Sequence, residues 1–301
     1  MQAALPGSEQ GARYGRCKLT LEDGLFIKSH ILPEALTRHD VRGEAIFQIG
    51  NSRRPTRRRT SWYDKQLVTL SGERILTSYD TWAIRQLRLH KLVWSGWGRQ
   101  TLGGSVDGVD ATGFGVRVID GGDWQRLRLF FLSLLWRAAA SDLPEFQEVR
   151  LPPEDLEQLR LMLVEANPEP ADFYPIGLTQ LSTRGPSHNV APLAQDMVLP
   201  FNEGSGPATT PIFRFYLQGL IAHFHRPTGA PSPYSEGMCV GTEDRLLVLA
   251  RPYDGSWEEE NLNLNFAEAW AAWPQIRPHL NGVFDPNTLY GGTRDASEQT
   301  E

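Results

Sequence analysis

"WQRLRLFFLSLLWRAAAS", residues 124–141, decides the fold class. Leu127, Phe130, Phe131, Leu134, Leu135 and Ala138 recur at three- and four-residue steps, so an α-helix gathers them on one broad apolar face. A face that wide must be covered, which makes this the expected core helix. Downstream, "PPEDLEQLRLMLVEAN" (152–167) opens with prolines and acids, as suits a helix N-terminus, and puts Leu156, Leu159, Met162, Leu163 and Ala166 on one side. Upstream, "SGERILTSYDTWAIRQLRLHKLVW" (71–94) spaces Ile75, Tyr79, Trp82, Ala83, Leu87 and Leu89 for a helix over about 71–90.

The remaining pattern is shorter in period. "IFRFYLQGLIAHFHR" (212–226) and "DRLLVLARPY" (244–253) read as strands between Gly, Pro and Ser loops, and "NFAEAWAAWPQIRPHL" (265–280) as a capping helix. The expected fold is therefore α+β. "GWGRQTLGG" (96–104) and "DGVDATGFG" (107–115) contain neither phosphate-loop spacing, and read as a linker. The expected organisation is a loose leader over 1–12, a basic module over 13–100, a helical then β-rich part over 101–290, and a disordered tail over 291–301.

Composition narrows the classes. Of 301 residues 40% are apolar and 22% charged, the balance of an ordinary globular chain. No run of about 18 apolar residues and no basic-then-apolar N-terminus occurs, so the expectation is a cytoplasmic protein without membrane contact. Cys17 and Cys239 are the only cysteines, too few for a disulfide framework or a four-cysteine zinc site. The net charge of −6 hides an asymmetry: residues 1–105 carry 17 Lys and Arg against 9 Asp and Glu, a net +8, and the remainder carries −14. Such a split fits an N-terminal part that meets a polyanion, or charge segregation between two domains.

Arg53, Arg54, Arg57, Arg58 and Arg59 crowd "NSRRPTRRRTSW" (51–62), an exposed loop that is either a solvated basic face or a set of phosphate contacts. In "FIKSHILPEALTR" (26–38), His30 precedes Pro33, which suits the first position of a short helix. From the residues alone His30 is a base, a ligand, or a turn histidine bonded to backbone or to Asp64. His223 and His225 alternate along one strand and share a face, as a metal pair or as two strand histidines. Arg137, on the core helix, is expected to pair with an acid such as Asp80 or Asp142.

Four stretches, "CKLT" (17–20), "KSHILP" (28–33), "WYDKQLVTLSGE" (62–73) and "LFFLSLLWRAA" (129–139), together resemble a family of bacterial HNH-endonuclease-like (ββα-metal) proteins. That family's pattern is C-x-x-C, then S-H-I-[IL]-P, then Y-D-x-x-[IL]-L-C-x-x-C-[DE], then F-x-S-x-L-W-R-A. The likeness covers roughly residues 13–165. It implies a small ββα module packed on the larger helical and β-strand part. It further implies a phosphodiesterase acting on nucleic acid, DNA in the first instance, in a bacterial anti-phage defence or mobile-element setting.

By the resemblance His30 is the general base, Asp64 orients it, and Ser29 and Glu73 stand where metal ligands stand, for Mg²⁺ or Mn²⁺. The four structural cysteines fall at Cys17, Thr20, Thr69 and Gly72, so no structural zinc is expected and the knuckle must be held by packing. Three readings follow. One is an active metal-dependent nuclease, and another is a pseudo-nuclease that binds nucleic acid without cutting it. In the third, the module is a scaffold and the acidic C-terminal part meets a protein partner.

Overall fold

The computed structural model describes residues 13–38, 44–50, 55–98, 102, 107–199, 208–227 and 238–280. Arg53 and Arg54, the expected leader and the expected tail lie outside the described residues. The N-terminal part contains strands β1 (Tyr14–Arg16), β2 (Asp23–Leu25), β3 (Ser29–His30), β4 (Ile46–Ile49), β5 (Thr56–Arg58) and β6 (Tyr63–Asp64), then helix α1 (Leu70–Leu89). There follow β7 (Gly115–Asp120), α2 (Trp124–Ala140), α3 (Pro153–Val164), β8 (Ile176–Leu181), β9 (His188–Val190) and β10 (Leu193–Leu199). The chain continues through β11 (Ala208–Leu217), β12 (Leu220–His225), β13 (Arg245–Arg251), α4 (Trp257–Ala272) and α5 (Arg277–Leu280). The fold is α+β, as the two sequence periodicities require.

Helix α2 starts where the Asp123 carboxylate accepts the Arg126 backbone N–H at 2.9 Å. Of its 17 residues 14 are buried, so it is enclosed on every side, not only on the face that the spacing predicts. Phe131 meets Phe224 of β12 edge-on at 6.5 Å, while α1 and α3 pack along other flanks. Enclosure on that scale forces its two buried arginines to find internal acceptors. Arg128 donates to the carbonyls of Pro168, Pro170, Phe173 and Tyr174. Arg137 uses all five of its N–H groups: on Ser133 O and Oγ, on both Asp80 carboxylate oxygens, and on His30 O.

The main sheet has the order β10-β11-β12-β8-β13-β7, antiparallel throughout except for the β8–β13 pair. "IFRFYLQGLIAHFHR", read as one strand, is most of a hairpin. Gln218 and Gly219 both have positive φ, 49° and 82°, and Leu217 faces Leu220, the geometry of a two-residue turn. A side chain at Gly219 would collide with the Trp94 indole, so the turn seats directly on that ring.

The basic module does not own a separate core. Cys17, Leu19, Ile31, Leu67, Val68 and Leu76 belong to the same buried cluster as Phe130, Phe215 and Phe224. Strand β4 also pairs in parallel with β9 and antiparallel with β5, which joins the two parts of the chain through a three-stranded sheet. The boundary expected near residue 100 thus divides the chain but not the core. Residues 107–115, expected as linker, form a turn in which Asp110 Oδ1 accepts from the Thr112 and Phe114 N–H groups before β7 begins.

Two helix ends differ from expectation. The Pro33 helix is a single 3₁₀ turn, Glu34–Leu36, with Pro33 outside it. Helix α4 begins at Trp257, ahead of the expected Asn265, because Ser256 Oγ accepts the Glu259 N–H at 3.2 Å and three glutamates favour the first turn. Among the described residues no helix is long and apolar enough to cross a membrane.

The Arg137–Asp80 pair gives a stability prediction. Asp80→Asn keeps the shape but leaves a buried guanidinium without its counter-charge, and should cost about 3 kcal/mol. The urea-unfolding midpoint, compared with wild type, measures it.

Candidate functional site

Strands β3 and β6 pair antiparallel, with β4 and β5 between them in the chain, and helix α1 follows β6, which gives a ββα arrangement around the residues singled out in the sequence. The register pairs Ser29 with Asp64 and His30 with Tyr63. Directly opposed residues share a face and neighbours alternate, so Ser29 and Asp64 lie on one face, both buried, and His30 and Tyr63 on the other.

On the inner face, Ser29 Oγ donates to Glu73 Oε2 at 2.7 Å. Glu73 is half-buried in the first turn of α1, and burial raises its pKa against the lowering effect of the Ser29 hydrogen bond and the Arg137 charge. Asp64 has other work. Its Oδ1 accepts the Gln66 N–H at 2.7 Å, closing a local turn, and its Oδ2 accepts from Ser141 Oγ at 2.9 Å at the end of α2.

On the outer face the His30 Nε2 lies 3.2 Å from Thr60 Oγ1, and its ring meets Tyr63 edge-on at 6.1 Å. Burial lowers its pKa, so the imidazole is neutral at pH 7. The Lys28 ammonium sits 4.1 Å above the Tyr63 ring. Arg57, Arg58 and Arg59 are exposed and lead straight into Thr60. Arg57 is steadied by the Phe47 ring at 5.5 Å and by Ala45 O at 3.3 Å.

The structure therefore brings Ser29 and Glu73 together, and His30 next to the arginine strand, but does not join the two groups. Asp64 is not placed to orient His30: the register puts the two side chains on opposite faces, and both carboxylate oxygens are engaged elsewhere. The donor set does not fit a Mg²⁺ or Mn²⁺ centre served by His30. Ser29 gives its proton to the one carboxylate beside it, the nearby Asp80 is held by Arg137, and no three His, Cys, Asp or Glu groups converge among the described residues. His223 and His225 share a face of β12, but among the described residues no third His, Cys, Asp or Glu joins them in a group that could hold a metal.

The four knuckle positions do meet. The Thr20 N–H donates to Cys17 Sγ at 3.4 Å, and Ser71 Oγ bridges Thr20 Oγ1 and Thr69 Oγ1 at 3.3 and 3.0 Å. A Cβ on Gly72 would stand 2.7 Å from Cys17 Sγ. Burial raises the Cys17 thiol pKa, but hydrogen bonds from Thr20 and Thr69 outweigh it and the net shift is downward. One thiol and two hydroxyls do not fit zinc, and the cluster is closed by packing.

One group of candidate residues lay outside the sequence reading. Along the exposed face of α1 runs an open groove of about 610 Å³, lined by Glu73, Arg74, Thr81, Trp82, Arg85 and, from α2, Arg126. The Arg126 guanidinium covers the Trp82 ring at 4.9 Å. Among the described residues none of Arg74, Arg85 and Arg126 makes an ion pair. The spacing of Arg74, Thr77, Thr81 and Arg85 on a predicted helix was a usable signal. Arg126 carried none, because only tertiary packing sets it beside Trp82.

Comparison with known protein families, with characterised proteins and with solved structures yields no match.

A Gly→Ala change inside a helix ordinarily stabilises it by about 1 kcal/mol. At Gly72 the sign should invert, with a loss of roughly 1–3 kcal/mol from overpacking against Cys17 and Val68. Thermal unfolding of Gly72→Ala measures it.

Proposed function

We propose that this chain binds nucleic acid through two arginine surfaces on an HNH-like ββα scaffold, without hydrolysing it. The supporting observation is that Arg57, Arg58 and Arg59 on one side of the ββα unit, and Arg74, Arg85 and Arg126 on another, make no ion pair among the described residues. They do so in a chain with 36 Asp and Glu against 30 Lys and Arg. Guanidinium groups in that state attract phosphates by charge and release of counterions, which positions a strand without reading its sequence. Trp82 adds a ring beside the second set on which a base can stack. The split of His30 from Glu73 and Asp64 favours binding over cleavage, because a general base must reach the water that the metal and its carboxylates hold.

The test is fluorescence anisotropy with a labelled DNA duplex over a salt series. Binding should weaken with salt, and the combined Arg57→Ala, Arg58→Ala and Arg59→Ala variant should flatten the slope of log K against log salt by up to about 3. A parallel plasmid incubation with Mg²⁺ or Mn²⁺ should show no cleavage that His30→Ala abolishes. Absence of DNA binding, or cleavage that depends on His30, would overturn the proposal.

A further inference from the structure

The groove along α1 holds more than charge. Arg74, Thr77, Thr81 and Arg85 follow one another at steps of three, four and four, which places two cations and two hydroxyls in a line on one face of the helix. All four are exposed, and among the described residues neither arginine makes an ion pair. From Arg74 to Arg85 the helix rises about 16 Å, and a stacked strand advancing about 3.4 Å per nucleotide sets about five nucleotides along that length. Among the described residues Glu73 is the only acid in the lining, and its carboxylate accepts the Ser29 hydroxyl at 2.7 Å.

The rest of the wall is apolar and aromatic. Trp82 packs part of its indole against the core and lines the groove with the remainder. Over that ring, at 4.9 Å, lies the Arg126 guanidinium, which also donates to Ser78 O at 3.4 Å and makes no ion pair among the described residues. Leu70, 52% exposed, adds apolar surface to the same lining. Phosphates need neither an indole nor a leucine. Bases do, because unpaired bases stack on aromatic rings and on arginine planes alike. A duplex keeps its base faces inside its own stack, and reaches such a platform only after unstacking.

We infer that the α1 groove binds an unpaired strand of nucleic acid in preference to a duplex. The inference rests on the nucleic-acid reading above and adds to it the class of strand. Arg74, Thr77, Thr81 and Arg85 follow the sugar-phosphate backbone, and the Trp82–Arg126 pair receives a base. Charge by itself runs the other way, since a duplex carries the denser phosphates. A preference for the single strand therefore reports the stacking platform. A ring already seated on the core, with a guanidinium already over it, loses little freedom when a base arrives.

The test uses the full chain carrying Arg57→Ala, Arg58→Ala and Arg59→Ala, which leaves the α1 groove as the remaining arginine surface. Fluorescence anisotropy at one salt concentration compares a labelled DNA strand of about 20 nucleotides, its duplex, and an abasic strand of equal length. The single strand should bind about tenfold more tightly than either of the others. Adding Trp82→Leu should bring it down to the level of the abasic strand. Should that change lower the thermal midpoint, Arg126→Ala leaves the core contact of Trp82 in place and should narrow the same gap. Equal or tighter binding of the duplex, or equal binding of the abasic strand as a site for any polyanion would show, sinks the inference and leaves the nucleic-acid reading standing. So does a single-strand affinity unchanged in both Trp82→Leu and Arg126→Ala, or a triple variant that binds no probe where the wild type binds duplex. A wild-type chain that binds none of the three probes overturns both.

Discussion

Arg137 on the enclosed helix α2 spends its five donors on three elements at once: its own preceding turn, Asp80 of α1, and the backbone of β3. A guanidinium that is 1% exposed has no water to fall back on, so each of these partners must be present for the core to close. Arg137 thereby ties α1 and β3 to the core helix α2. Because the bond to β3 is made by the His30 carbonyl, the same interaction that secures the core also fixes the strand carrying His30. Asp64 acts at the same end of the helix, where Ser141 ties β6 to the exit from α2.

The cluster around Cys17 is closed by packing and hydroxyl hydrogen bonds. Cys17 is fully buried, Gly72 leaves it just enough room, and Thr20, Thr69 and Ser71 satisfy one another's hydroxyls. The small module needs no internal staple because its apolar residues continue into the core built by α2 and the six-stranded sheet.

The charged groups divide by the partners they have. Arg128, Arg137 and Arg214 are interior and committed to carbonyls or carboxylates. Arg57, Arg58, Arg59, Arg74 and Arg85 are exposed and make no ion pair among the described residues. Interior arginines build the fold, and the exposed ones face solvent.

Residues 124–141 announced a core helix, 71–90 a helix that the structure ends within a residue of that span, and the later β-prone runs an α+β fold. Those features depend on local periodicity, which a linear sequence carries in full. The four knuckle positions also proved to be neighbours, though that expectation came from resemblance. Register was not legible. A shift of one residue in the β3–β6 pairing would move His30 to the face of Glu73, and no local pattern in a two-residue strand specifies it. The side on which His30 lies is set by the buried partners of Ser29 and Asp64, Glu73 44 residues and Ser141 77 residues along the chain. The sequence by itself determined which segments are helix and strand. Only the tertiary structure decided which polar side chains meet, because hydrogen bonds between distant residues leave no period to read.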